Sequence, residues 1–164
     1  MKNKVVIIGM PGCGKTTVGK ILGEELSLEF VDMDEYIEET TGKTISQIFE
    51  NGEDYFRDIE TKACEELIKR DNILISTGGG VIKKPINMEI LKNDSIVIFL
   101  DRPVENILGD VDVSQRPLLK DGKEKLLKLY DERYELYKKY ADKIIVNDCN
   151  IEEVLDKFKK VINE

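Results

Sequence analysis

Val5-Val-Ile-Ile-Gly-Met-Pro-Gly-Cys-Gly-Lys-Thr16 decides the fold. Its first four residues read as a short buried strand, and they run into Gly9-x-x-x-x-Gly14-Lys15-Thr16, followed by helical periodicity to about Leu26. Strand, glycine-rich turn and helix in this order form the context in which the motif cradles phosphate. The glycines let successive N–H groups curl around oxygens, and the helix N-terminus adds its positive dipole end. Gly12, Cys13, Gly14, Lys15, Thr16 and Thr17 are the candidate nucleotide-binding residues. Lys15 would reach the β- and γ-phosphates, and the Thr16 hydroxyl is the candidate ligand of Mg²⁺. The plain alternative is an ordinary glycine-rich turn; a nucleoside triphosphate is the expectation.

The strand–helix alternation repeats outward from this unit. Further strands are predicted at Glu29 to Asp32, Ile73 to Ser76, Ser95 to Leu100 and Lys143 to Val146, with helical segments between them. Thr44 to Gln47 reads as a capping box opening one helix, and Asn150 to Glu153 resembles one opening the last. Apolar strands alternating with helices predict an α/β fold of three layers: a central five-stranded parallel sheet flanked by helices. With 164 residues and no repeat or proline-rich linker, one domain over 1–164 is expected.

The formal net charge of −8 argues against nucleic-acid or anionic-membrane partners, which need a basic face. Three scattered cysteines and no histidine exclude a disulfide framework and histidine-based chemistry. Without a signal-peptide pattern or a span-length apolar run, the chain reads as cytoplasmic. Catalysis must then use carboxylates, lysine, arginine, metal and backbone.

Asp32-Met-Asp34 follows the second predicted strand, at the carboxyl edge where open α/β sheets bind ligands. Strand alternation would put both carboxylates on one side. One can support magnesium through water while the other faces an acceptor hydroxyl; alternatively Asp34 merely caps a helix starting near Glu35. Only five of the twenty-five basic residues are arginines, and the guanidinium fork alone gives bidentate recognition of carboxylate or phosphate. Arg133 has Leu129, Tyr130, Leu136 and Tyr137 as its helical neighbours, so it faces an apolar side with no local acid and would suit an external anion. Arg57 has Glu53, Asp54 and Glu60 within a turn, and a plain ion pair competes with a ligand role. Arg116-Pro117, in the polar stretch Asp110 to Pro117, is either a solvated turn residue or a cation delivered to the γ-phosphate by a closing lid. Arg70 and Arg102 look bland. Gly78-Gly79-Gly80 ends the third strand with three missing side chains where a simple turn needs one.

Together, Gly9 to Thr16, Asp32-Met-Asp34, Phe56-Arg-Asp-Ile-Glu60, Gly78 to Gly80, Arg116-Pro-Leu-Leu119 and Arg133-Tyr-Glu-Leu-Tyr137 resemble the shikimate kinase family, in order along nearly the whole chain. The resemblance implies a P-loop kinase fold, ATP as co-substrate, Mg²⁺ and phosphorylation of the 3-hydroxyl of shikimate, by a monomer in aromatic amino-acid biosynthesis. It implies Lys15, Asp34 and Arg116 as catalytic residues, with Arg116 also on the nucleotide. Asp34, Arg57, Gly78, Gly79, Gly80 and Arg133 would bind shikimate. Thr16 and, through water, Asp32 would serve the metal, and Glu60 would orient Arg57. The acceptor region would span about 33–61 with Ile45, Phe49 and Phe56 as an apolar wall, and the lid about 109–121. The sequence departs from the family on the base side, where Gly109-Asp110 and Asn147 to Asn150 stand in place of two arginines. A kinase of gluconate or a nucleoside monophosphate, and a non-catalytic nucleotide-binding module, are the rival readings.

Overall fold

A computed structural model of the chain describes residues 2–109 and 119–164, with side chains from residue 122 onward in the second stretch. The expected lid, with Asp110, Asp112 and Arg116, falls mainly outside the described residues.

Five strands form one parallel sheet in the order β2-β3-β1-β4-β5: β1 (Lys4–Ile8), β2 (Glu29–Asp32), β3 (Ile73–Ser76), β4 (Ile96–Asp101) and β5 (Lys143–Val146). The central strand, β1, places Val5 opposite Leu74 on one flank and Ile96 on the other. Its Val5 to Ile8 run is fully buried because helices cover both faces. One face packs against α1 (Lys15–Leu26) and α8 (Ile151–Asn163), with Leu22, Phe158 and Ile162 in the core beneath them. The other carries α2 (Met33–Thr41), α3 (Ile45–Phe49), α4 (Glu53–Leu67), α5 (Pro85–Leu91) and α7 (Leu119–Tyr140), centred on Met33, Ile37, Phe56, Leu67, Phe99 and Tyr137. A short α6 (Val104–Gly109) follows β4. Among the described residues no helix is long and apolar enough to cross a membrane.

The helix starts follow local chemistry. Thr44 and Gln47 make both reciprocal bonds of a capping box, and the Asn150 side chain accepts from the Glu153 N–H. β4 begins and ends one residue later than the sequence predicts. The larger correction concerns Asp32 and Asp34, which are not two alternating residues of one strand: β2 stops at Asp32, and Asp34 lies in the first turn of α2. Asp32, rather than Asp34, is the cap, its Oδ1 accepting from the Glu35 N–H at 3.2 Å. A carboxylate can close a helix N-terminus without leaving the sheet edge.

Candidate active site

The carboxyl ends of β1, β2 and β3 open into a cavity of about 500 Å³, lined by P-loop residues, Asp32, Asp34, Ser76 to Gly79 and Arg102. Gly14 is the N-cap of α1, which has no acid in its first turn, so its N-terminal N–H groups and dipole face the cavity uncompensated. Lys15 is buried, its Nζ donating to Gly9 O at 2.8 Å and Met10 O at 3.0 Å. Thr16 and Thr17 line the cavity. The Thr16 hydroxyl donates to Asp32 Oδ2 at 2.9 Å, bringing together the two groups expected to serve the metal. Cys13 is turned away: its side chain lies in the core and its N–H donates to Met10 O.

Across the cavity Asp34 is the second acid. Burial, then the neighbouring Asp32, raises its carboxyl above the ordinary value, against the pull of Lys15 and Arg57. The correction to the backbone therefore leaves both carboxylates on one cavity, Asp34 being brought there by the first turn of a helix.

The three glycines are explained by what surrounds them. Thr77 prolongs β3 past its last ladder residue, its N–H and hydroxyl both donating to Ile7 O, so the glycines run beside the P-loop. A Cβ on Gly78 would lie 3.1 Å from Asp34 Oδ1 and 3.3 Å from Glu60 Oε2. On Gly79 it would meet Pro11 Cδ at 2.8 Å and Arg133 Nη1 at 3.3 Å, and on Gly80 Arg57 Nη1 at 2.7 Å. Each missing side chain is space taken by a different site residue.

Arg57 is 8% exposed, which excludes a pair on a solvated face. Its Nη1 donates to Glu60 Oε1 at 2.9 Å and its Nε lies 3.4 Å from Glu53 Oε1, while the guanidinium covers the Phe56 ring. Glu60 is fully buried. Burial raises its carboxyl, with Arg57 working against the rise. Arg133, 9% exposed, comes from α7 beside Tyr137, whose hydroxyl donates to Gly79 O at 2.6 Å. Among the described residues, Glu60 Oε2 and Arg133 Nε are the buried side-chain polar atoms without a hydrogen-bond partner. A buried donor left unmet is costly unless a ligand meets it, and an anion is what Arg133 Nε suits. The expected apolar wall is partly built: Phe49 stacks on Phe56 with ring centroids 4.6 Å apart. Arg57 and Arg133 do not line the main cavity; they stand behind Gly79 and Gly80.

Sequence reasoning missed Ser76, Thr77 and Arg102. The signal for the first two was polar residues ending a buried strand at the sheet's carboxyl edge. Arg102 immediately follows β4, donates to Gly12 O at 3.0 Å and lines the cavity. Asn147 ties the loop after β5 to the P-loop, donating through Nδ2 to Cys13 O at 2.9 Å and through its N–H to Asp101 O.

A P-loop opening a parallel sheet of this order, with a carboxylate on its cavity and two buried arginines behind the glycine run, defines the P-loop kinase fold. Comparison with known proteins narrows the class. A family profile for shikimate kinase matches residues 11–163. The chain is 63% identical over 162 residues to a shikimate kinase of Clostridium botulinum, covering 99% of this chain and 98% of that protein. It is 59% identical to one of Clostridium beijerinckii, covering 99% and 96%. The solved structure of a shikimate kinase from Acinetobacter baumannii in complex with shikimate matches with a TM-score of 0.88 at 38% identity, over 98% of this chain and 92% of that one. The chain belongs to the shikimate kinase family.

Proposed function

We propose that this chain transfers the γ-phosphoryl group of ATP to the 3-hydroxyl of shikimate, forming shikimate 3-phosphate and ADP in aromatic amino-acid biosynthesis. The observation that carries the reading is the unpartnered Nε of buried Arg133 beside the Arg57–Glu60 pair, next to a phosphate-binding loop. Family membership supports the same substrate. A small acid suits this recess better than a nucleotide acceptor, because two guanidinium groups address one carboxylate.

In this reading Arg57 and Arg133 grip the shikimate carboxylate, with Glu60 holding the Arg57 fork in place. Asp34 accepts a hydrogen bond from the 3-hydroxyl and receives its proton as the oxygen attacks phosphorus. Its raised affinity for a proton suits that step. The N–H groups of Gly12, Gly14, Lys15, Thr16 and Thr17 hold the polyphosphate. Cys13 joins them once its N–H leaves Met10. Lys15 exchanges its two carbonyl partners for phosphate oxygens and, with Arg116 from the lid, balances charge on the transferring group. Gly78, Gly79 and Gly80 let the polyol approach the backbone. Thr16 and Asp32 fit Mg²⁺ as a hydroxyl and a carboxylate already in contact. The ion would supply charge neutralisation on the β- and γ-oxygens.

Positioning and charge thus carry the catalysis. The chain is taken as one catalytic unit over residues 1–164, working as a monomer in the cytoplasm. ADP release should require Mg²⁺ and shikimate together in a coupled assay. Turnover with gluconate or a nucleoside monophosphate and none with shikimate would refute the assignment.

A further inference from the structure

We infer that Arg102 is a nucleotide-binding residue that serves the β- and γ-phosphate end of the polyphosphate from the β4 side of the P-loop. Three observations meet here, and the inference rests on the P-loop cavity being the nucleotide site.

The first is position. Arg102 follows the last residue of β4 directly, and β4 is the neighbour of the P-loop strand. Its Nη1 reaches Gly12 O at 3.0 Å, and the side chain lines the same cavity as Gly12, Gly14, Lys15, Thr16 and Thr17. A P-loop carbonyl faces away from phosphate while the N–H groups face it, so a cation on the Gly12 carbonyl is within one side-chain rotation of the ligand.

The second is charge. Among the described residues, the charged ones lining the cavity are Lys15, Arg102, Asp32 and Asp34, two of each sign. A triphosphate brings several negative charges beside the two acids, and a second cation next to Lys15 offsets part of them. The third is residue type. Lysine is the rule among the basic residues of this sequence, yet an arginine stands at this position. A guanidinium instead offers the fork that matches phosphate oxygens. Arg102 is also half-buried rather than locked in the core.

The test uses the full chain with Mg²⁺ and no shikimate, measuring AMP and ADP affinity by calorimetry in wild type, Arg102→Ala, Arg102→Gln and Lys15→Ala. Glutamine keeps a donor for Gly12 O but has no charge. We expect both Arg102 variants to weaken ADP by roughly tenfold or more, the worth of one charge-assisted hydrogen bond. AMP should change by less than about threefold, and the salt dependence of ADP affinity should fall in both variants. In a separate titration with shikimate and no nucleotide, the affinity of the Arg102 variants should stay within about twofold of wild type. ADP affinity restored by Arg102→Gln would make the residue a brace of the loop and overturn the inference. So would an unchanged ADP affinity in both variants, or AMP and ADP weakened alike. ADP binding untouched by Lys15→Ala would instead refute the phosphate site itself, whereas loss in Lys15→Ala with none in the Arg102 variants refutes Arg102 alone.

Discussion

Gly80→Ala is a one-methyl test of how the acceptor recess is built. Gly80 has φ −97° and ψ 10°, a conformation alanine adopts, so any effect comes from contact and not from backbone strain. The added Cβ would lie 2.7 Å from Arg57 Nη1 and 2.8 Å from its Cζ. Arg57 cannot swing clear without leaving Glu60, 2.9 Å away and fully buried. Overpacking of this kind costs about 1–3 kcal/mol. Loss of a buried pair would cost more, about 3–5 kcal/mol, but burial raises the affinity of Glu60 for a proton, and uptake of one offsets part of that penalty. The lower range therefore applies to stability. In the proposed reading Arg57 grips the acceptor carboxylate, so displacing its guanidinium should weaken shikimate by roughly tenfold or more, as expected for one charged hydrogen bond. The P-loop contact made by the glycine run belongs to Gly79, so ADP affinity should move by less than about twofold. Urea unfolding and calorimetric titration with shikimate and with ADP measure all three. A stable variant with wild-type shikimate affinity would show that Arg57 does not hold the acceptor; a loss in ADP equal to that in shikimate would show that the two recesses are one.

Two further perturbations follow from the same geometry. Burial and the neighbouring Asp32 raise the Asp34 carboxyl in the folded chain, so its contribution to stability is present at acid pH and is lost as pH rises from about its ordinary value of 3.8 through its raised folded value. Asp34→Asn removes that loss: its stability relative to wild type should improve between pH 4 and pH 7 in urea melts, while turnover is abolished, and a gap that is constant or widens in favour of wild type contradicts the burial argument. Arg133→Lys keeps the charge and loses the fork, which should weaken shikimate by about 1.5–3 kcal/mol with little change in ADP binding; unchanged shikimate affinity in the folded variant would return Arg133 to a structural role.

The sequence alone determined what is local. A strand entering Gly9 to Thr16 and then a helix is contiguous chemistry, and the apolar runs of β1, β3 and β4 specified the middle of the parallel sheet, because strands covered on both faces must be apolar throughout. The capping residues Thr44 and Asn150 were legible for the same reason: each bonds to a group three residues away. Arg133 was legible from its neighbours, since a charge on an apolar helix face needs a partner from elsewhere. Tertiary structure decided whatever depends on residues distant in the chain. The sequence counts three glycines at 78–80, but only packing reveals that Asp34 and Glu60, Pro11 and Arg133, and Arg57 occupy the space beside each in turn. The raised carboxyl of Asp34 depends on burial by surrounding elements, which no local spacing encodes. Whether Asp32 or Asp34 caps α2 turned on where β2 ends, a matter of its pairing with β3 up to Ser76. Arg102 reads as the residue before a proline until β4 lies against β1, because strand order, and not sequence distance, brings residue 102 to within hydrogen-bond reach of residue 12.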